Sequence, residues 1–330
     1  MKQKVYIGQY AGGEVCGLHV LSVDDVPGAI EPVDFIGDIP NTLWLSRASD
    51  GSRLFVGRDN GISVFDIGGS RPVKTGDSEI GRSVPCHMSQ SSDGQRLYFA
   101  EYSDSFCGII DLSSGEVKSV DLTGSGPNLP RQDKTHAHCS VETPDGRYLC
   151  VVDLGTDAVR LYDPVTMEPR GRVDTEPGMG PRHLVFHPNG KLACLVYELG
   201  NIITMFGYSG GAFTPINTLS LLPPDFTGHS QAAAVKFSED GRRVFATNRG
   251  HDSVVTFDVD PGSGMLSFVA CSPLGGSWPR DFTMLPGERI ALACLERAGE
   301  VRAFRYDAAT GGFTPLDHAY RTHRPVVAVL

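Results

Sequence analysis

Short apolar runs with period-two alternation recur along the chain, each opened by a turn and followed by a polar loop. In RLFVG (53–57) and ISVFD (62–66) alternate positions are apolar, as in strands half-buried between two neighbours. The repeating unit is an Asp-Gly turn or a close variant, an apolar strand, a polar loop, and a second strand ending in an acidic residue. It covers residues 49–67, 92–112, 144–163, 188–208, 239–260 and 286–307. Its turn glycines are Gly51, Gly94, Gly146, Gly190, Gly241 and Gly287, spaced 43 to 52 residues apart. Asp-Gly and Asn-Gly supply the positive φ that tight hairpins need. That period suits one four-stranded blade per repeat.

A seventh unit is split between the ends. KVYIGQY (4–10) and GLHVLSV (17–23) read as its middle and end, and PVVAVL (325–330) as its beginning. Joining them closes a ring and leaves only short, protected strand edges. The expectation is an all-β fold, a single seven-bladed β-propeller domain over residues 1–330, with N- and C-terminal strands sharing one blade. A pair of β-sandwiches fits the regular period poorly.

Composition narrows the function classes. The 330 residues are 40% hydrophobic, ample for a core, and 39 Gly with 22 Pro favour many short elements over long helices. A net charge of −10 disfavours nucleic acid and anionic membranes as partners, yet leaves room for a local basic pocket for a small anion. The eight cysteines form no C-x-x-C pair and several lie in strand-like runs, so they read as reduced core thiols. No signal-peptide pattern opens the chain and no long apolar run crosses it, which predicts a cytoplasmic protein away from membranes. Residues 207–211 match G-x-S-x-G but are followed by a strand-like segment where a nucleophile elbow needs a helix. A faint calcium-loop pattern at Asp258 fails because Val269 stands at its bidentate position. No metal or cofactor is expected, and the chain is read as a monomer or weak oligomer.

Polar residues share a phase in the repeat. His138, Arg182 and His183, Cys86 and His87, and Arg280 each lie seven to eight residues before their turn glycine, with His136 two residues ahead of His138. In a ring, a shared phase means a shared height, so these side chains converge on one mouth of the channel. Glu198 and Arg249, with Asp153 beside them in phase, follow the second strands. The long loop over residues 123–138 adds Arg131 and Lys134; long loops in compact domains are functional candidates.

Longer phrases carry a family resemblance. SGPNLPRQDKTHAHCSVETPDGRYLCVVDLGTDAV (125–159), GMGPRHLVFHPNGKLACLVYELGN (178–201), TNRGHDSVVTFDVD (247–260), SWPRDF (277–282) and YIGQY (6–10) resemble, in register, the lactonase family. That family includes 6-phosphogluconolactonases and fungal carboxymuconate-lactonizing enzymes. The resemblance implies a seven-bladed propeller of carbohydrate metabolism with a pocket at one end of its channel. It also implies a catalytic set of His138, Arg182, Glu198 and Arg249. His136, Lys134, Arg131, His183, His87 and Arg280 are the candidate substrate-binding groups. The implied activity is hydrolysis of a small anionic lactone, 6-phosphogluconolactone among them; a muconate-type cycloisomerase and a non-catalytic binding module are the alternatives.

A lactone hydrolase needs a base for water, donors for the developing oxyanion and a site for the substrate's anion. Either Glu198 or His138 fits the base, and the arginines fit the anion sites. Each also has a structural reading: His138 as a strand cap, Arg182 as an inter-blade ion pair, Glu198 as its partner, Arg249 as a tie between blades. The sequence departs from the family at Arg58-Asp59, at Tyr197 and at Ala233-Ala234-Val235, where an acidic residue is missing. An acid lost near a pocket would change its charge preference.

Overall fold

The computed structural model describes residues 1–12 and 16–330. Among them, 28 strands form seven four-stranded antiparallel sheets. Helix is limited to one 3-10 turn, Leu154–Thr156. The sheets are the blades of a propeller. The first blade is the split one, ordered from the axis outward as Pro325–Val329, Lys2–Gln9, Gly17–Asp24 and Ile30–Gly37. Tyr6 pairs with Val329, Ile7 with Ala328 and Gly8 with Val327, which closes the ring. The second to seventh blades follow in chain order. Their innermost strands are Leu45–Arg47, Pro85–Gln90, Ala137–Glu142, Pro181–Phe186, Gln231–Phe237 and Pro279–Met284. Each innermost strand touches the next around the axis.

The core lies between blades. Cys139, Val152, Leu184 and Leu195 pack where the fourth blade meets the fifth, and Val196, Met205, Val235 and Val244 where the fifth meets the sixth. Burying apolar side chains on both faces of each sheet holds neighbouring blades together. The outermost strands are polar; Val73–Glu79 is exposed almost throughout. All eight cysteines are free thiols, five of them fully buried. No helix among the described residues is long and apolar enough to cross a membrane.

In the second to seventh blades the innermost strand runs from one mouth of the channel to an Asp-Gly turn or close variant at the other. Gly51, Gly94, Gly146, Gly190 and Gly241 sit there at φ between +67° and +73°, a conformation that costs glycine little. In the seventh blade Glu288 takes the equivalent place at φ +49°, one residue after Gly287.

At the opposite mouth the innermost strands bulge. Pairing skips a residue between Pro85 and His87, Ala137 and Cys139, Pro181 and His183, and Pro279 and Asp281. The sixth blade slips at Ala233–Ala234. A bulge leaves its extra residue unpaired and re-aims its side chain. The residues so presented are Cys86, His138, Arg182 and Arg280. The expected common height of the chemistry-bearing residues thus has a backbone cause.

Candidate active site

The bulged mouth encloses a cavity of about 510 Å³, within the ordinary range for small-molecule sites. Its lining combines bulge residues with residues at or just past the ends of the second strands, namely Tyr10, Tyr102, Glu198, Arg249 and Glu296.

Glu198 is the hub on the side of the fourth to sixth blades. Its backbone N–H donates to Gly180 O at 2.7 Å, and its carbonyl accepts from Ala232 N at 3.1 Å. Those bonds fix it between the entries of the fifth and sixth blades. Gly180 has φ +61°, and a Cβ there would lie 2.6 Å from Leu199 Cγ, so the Gly-Pro-Arg-His entry tolerates only glycine at this point. Three guanidiniums hold the carboxylate: Arg131 Nη2 at 2.6 Å from Oε1, and Arg182 Nε at 3.0 Å and Arg249 Nη2 at 2.7 Å from Oε2. His138 Nε2 faces Oε2 at 4.0 Å. Burial alone would push the Glu198 carboxyl up, but Arg249, Arg182, His138 and Arg131 together hold it well below the usual carboxylate range. Glu198 is therefore ionised at neutral pH. His138 is 4% exposed. Burial first, and then Arg182, hold its imidazole well below the ordinary value, so it is neutral.

The three arginines come from different places. Arg131 lies on the long loop, which is anchored by the fully buried Gln132. Gln132 donates from Nε2 to Leu154 O at 2.8 Å and accepts from Asn128 N at 2.9 Å. Arg131 also donates to Tyr102 Oη at 3.1 Å. Arg182 is 2% exposed and lies beneath Glu198, outside the cavity lining. It donates from Nη1 to Ala233 O in the next blade at 2.8 Å. Arg249 lines the cavity and donates from Nη2 to Ala232 O at 2.9 Å, while its buried Nε has no partner among the described residues. Arg182 and Arg249 thus tie blades together and hold Glu198 at once.

A second cluster occupies the side of the seventh and first blades. Glu296 receives Arg324 Nη2 at 2.6 Å on Oε1 and Arg280 Nη1 at 3.4 Å on Oε2. The Arg324 and Arg280 guanidiniums lie 4.2 and 5.2 Å from the centre of the Tyr10 ring. Arg297 lies 3.3 Å over Trp278. In all, Arg131, Arg249, Arg280, Arg297 and Arg324 line the cavity against the carboxylates Glu101, Glu198 and Glu296. A basic cavity sits in a chain of net charge −10.

The remaining sequence candidates lie elsewhere. His87 and His183 are in the layer below the floor: His87 stacks on Trp44 at 4.4 Å and accepts from Ser140 N at 3.2 Å, and His183 meets His87 and His138 edge-on. Burial and Arg182 push His87 down to about 3. His136 stacks on Tyr102 at 4.2 Å and bonds its carbonyl through Nδ1, behind the wall. Lys134 is turned outward to Ser103 O. None of these four lines the cavity. Asp153 is likewise internal, accepting from His136 N, Gly155 N and Arg160. The missing acid at Ala234 falls in the lower layer, where its N–H bonds Thr247 Oγ1, so its loss leaves the lining charge untouched. Arg58 and Asp59 are outside the lining too, paired with Glu79 and Asn41. Sequence reasoning missed Tyr10, Tyr102, Glu296, Arg297 and Arg324. Glu296 has a legible signal: it follows Glu288 by eight residues, as Glu198 follows Gly190.

Residues 4–330 match the family model described as lactonase, 7-bladed beta-propeller. The chain belongs to the lactonase family. The 6-phosphogluconolactonase of Bacillus subtilis is 31% identical over 97% of this chain and 96% of its own. An uncharacterized protein of Lactococcus lactis is 32% identical over 95% of each. Among solved structures, the periplasmic gluconolactonase of Pseudomonas aeruginosa superimposes with a TM-score of 0.93 at 29% identity, covering 100% of this chain and 99% of its own. Family membership and these relatives support lactone hydrolysis as the reaction class of this lactonase.

Proposed function

We propose that this lactonase hydrolyses an anionic sugar lactone, with 6-phosphogluconolactone as the first substrate to test. The observation that carries the reading is a neutral, buried His138 facing a Glu198 carboxylate that three arginines keep ionised, inside a basic cavity. The names of the Bacillus and Pseudomonas relatives support the same class.

His138 is the base in this reading. Three guanidiniums suppress the proton affinity of Glu198, whereas a neutral imidazole has a free lone pair. Water adds to the lactone carbonyl carbon as its proton passes to His138. The carbonyl electron pair moves onto oxygen, where the cavity-lining Arg249 and Arg131 supply N–H donors. The ring C–O bond then breaks, and the ring oxygen takes the proton back from His138. Glu198 remains a carboxylate throughout and steadies the transient imidazolium. The net change is one lactone plus one water to one hydroxy acid.

Proton release from phosphorylated and plain aldonolactones in labelled water tests this. Acceleration over spontaneous opening, with one labelled oxygen in the product carboxylate, is expected. No acceleration on any lactone would sink the reading. Loss of the diene of a muconate without water incorporation would point to the cycloisomerase instead.

A further inference from the structure

The cavity holds two clusters of similar make-up, and only one carries a base. Around Glu198 stand Arg131, Arg182 and Arg249 with His138; around Glu296 stand Arg280, Arg324 and Arg297 with two aromatic rings, Tyr10 and Trp278, and no imidazole lines that side. We infer that the Arg280–Arg297–Arg324 cluster is a subsite for a dianionic phosphate monoester at the end of the substrate remote from the lactone carbonyl. This assignment rests on the lactonase reading for the other cluster.

Charge and geometry both favour it. Glu296 has two oxygens, and Arg324 and Arg280 take one each. On this side three guanidiniums share the one carboxylate of Glu296, with Glu198 acting on Arg280 from across the lining. Arg297 is exposed and makes no ion pair among the described residues.

The aromatic contacts shape the site. Trp278 covers one face of Arg297, and Tyr10 lies beside Arg324 and Arg280. A guanidinium covered on its face keeps its in-plane N–H groups for hydrogen bonding, in a fork that matches phosphate. The backbone that carries both rings is tied down: Trp278 N donates to Asp252 Oδ1 at 2.8 Å, and Tyr10 N to Arg324 O at 3.3 Å. The turn after Glu296 folds back on the same loop, with Glu296 N donating to Trp278 O at 3.0 Å and Arg297 N to Ser277 O at 3.2 Å. Arg297 and Trp278 therefore move as one unit. A lactone carbonyl placed at His138 leaves this cluster for the rest of the substrate within the same cavity.

The test is substrate discrimination. Arg297→Ala removes an exposed side chain with no ion pair, so folding is not at stake; Arg324→Lys keeps the charge and loses the fork. For each, kcat/KM is measured on 6-phosphogluconolactone and on plain gluconolactone. A lost charged hydrogen bond predicts an about ten- to hundredfold fall in the ratio of phosphorylated to plain substrate, expressed in KM. An equal loss on both lactones, or no change in the ratio, overturns the subsite. If wild-type protein opens neither lactone, the reaction is wrong and calorimetry reads the subsite separately. 6-Phosphogluconate must then bind more tightly than gluconate and lose that advantage in Arg297→Ala; equal binding of the two acids overturns the assignment.

Discussion

Glu198 shows how one buried residue can be structural and chemical together. Its carboxylate is the counter-ion of three arginines and the partner of the one imidazole in the cavity lining. Glu198→Ala would strand those guanidiniums with no carboxylate, and breaking such a buried cluster costs about 3–5 kcal/mol; a lower melting temperature by calorimetry is the check. His138→Ala removes no ion pair and should leave the melting temperature nearly unchanged while lowering kcat by about 10²–10⁴. The sign of the pH dependence follows from the same environment. Catalysis needs unprotonated His138, and burial with Arg182 disfavours its imidazolium. The acid limb of kcat/KM should therefore lie well below pH 6.5, once spontaneous opening is subtracted; a limb at or above 6.5 would contradict a buried neutral base. At this scale the sequence was informative about His138, Glu198, Arg249, Arg131 and Arg280, which line the cavity. It did not separate them from His87 and His183, which differ from the bulge residues by one position and so point to another layer. A bulge is a backbone event with no residue signature of its own here.

The bulge and the second-strand hairpin are the elements that build the mouth. In the hairpin, a residue of positive φ accepts a backbone N–H from the segment leading to the next blade: Asn60 from Ile80, Ser105 from Leu122, Asp157 from Thr175, Asn201 from Leu221 and Asp252 from Leu274. Asp157 also accepts from Gly178 and Gly180, and Asp252 from Trp278, so each hairpin sets the entry of its neighbour. Nothing in the sequence around these aspartates signals their reach into the next blade. Gly180→Ala would force a Cβ into Leu199 at positive φ and displace the carbonyl that holds Glu198. We expect a loss of about 1–3 kcal/mol in urea unfolding together with a fall in kcat; unchanged values for both would show that the Gly180–Glu198 bond positions nothing. Glu296 escaped notice because the seventh blade's turn places Glu288, not glycine, at the reference point. Arg324 escaped because its strand is the last of the chain and no Asp-Gly turn follows to set its phase.

The ring as a whole was the most legible feature, since seven phased units with a split member dictate closure and the strand pairs at Tyr6, Ile7 and Gly8 supply it. The basic mouth extends beyond the residues the sequence pattern singled out, because Glu296, Arg297 and Arg324 complete it beside Arg280. The interior also makes the molecule acid-sensitive. His19, His138 and His183 are buried and His87 is half-buried, and desolvation lowers each, to about 4 for His19 and about 3 for His87. A histidine whose folded pKa is depressed takes up a proton on unfolding, so stability falls as pH drops below 6.5 and continues to fall to the folded value. Each contributes a slope of about 1.4 kcal/mol per pH unit in that window. Urea midpoints between pH 7 and 4.5 should decline steeply; a flat profile would mean these rings are charged in the native state. The central claim, lactone opening at the His138–Glu198 mouth, is tested most directly by continuous proton release from 6-phosphogluconolactone with wild-type protein and His138→Ala side by side. The account predicts opening well above the spontaneous rate for wild type and close to it for the variant. Equal rates for the two proteins, whether fast or at the buffer level, would contradict it.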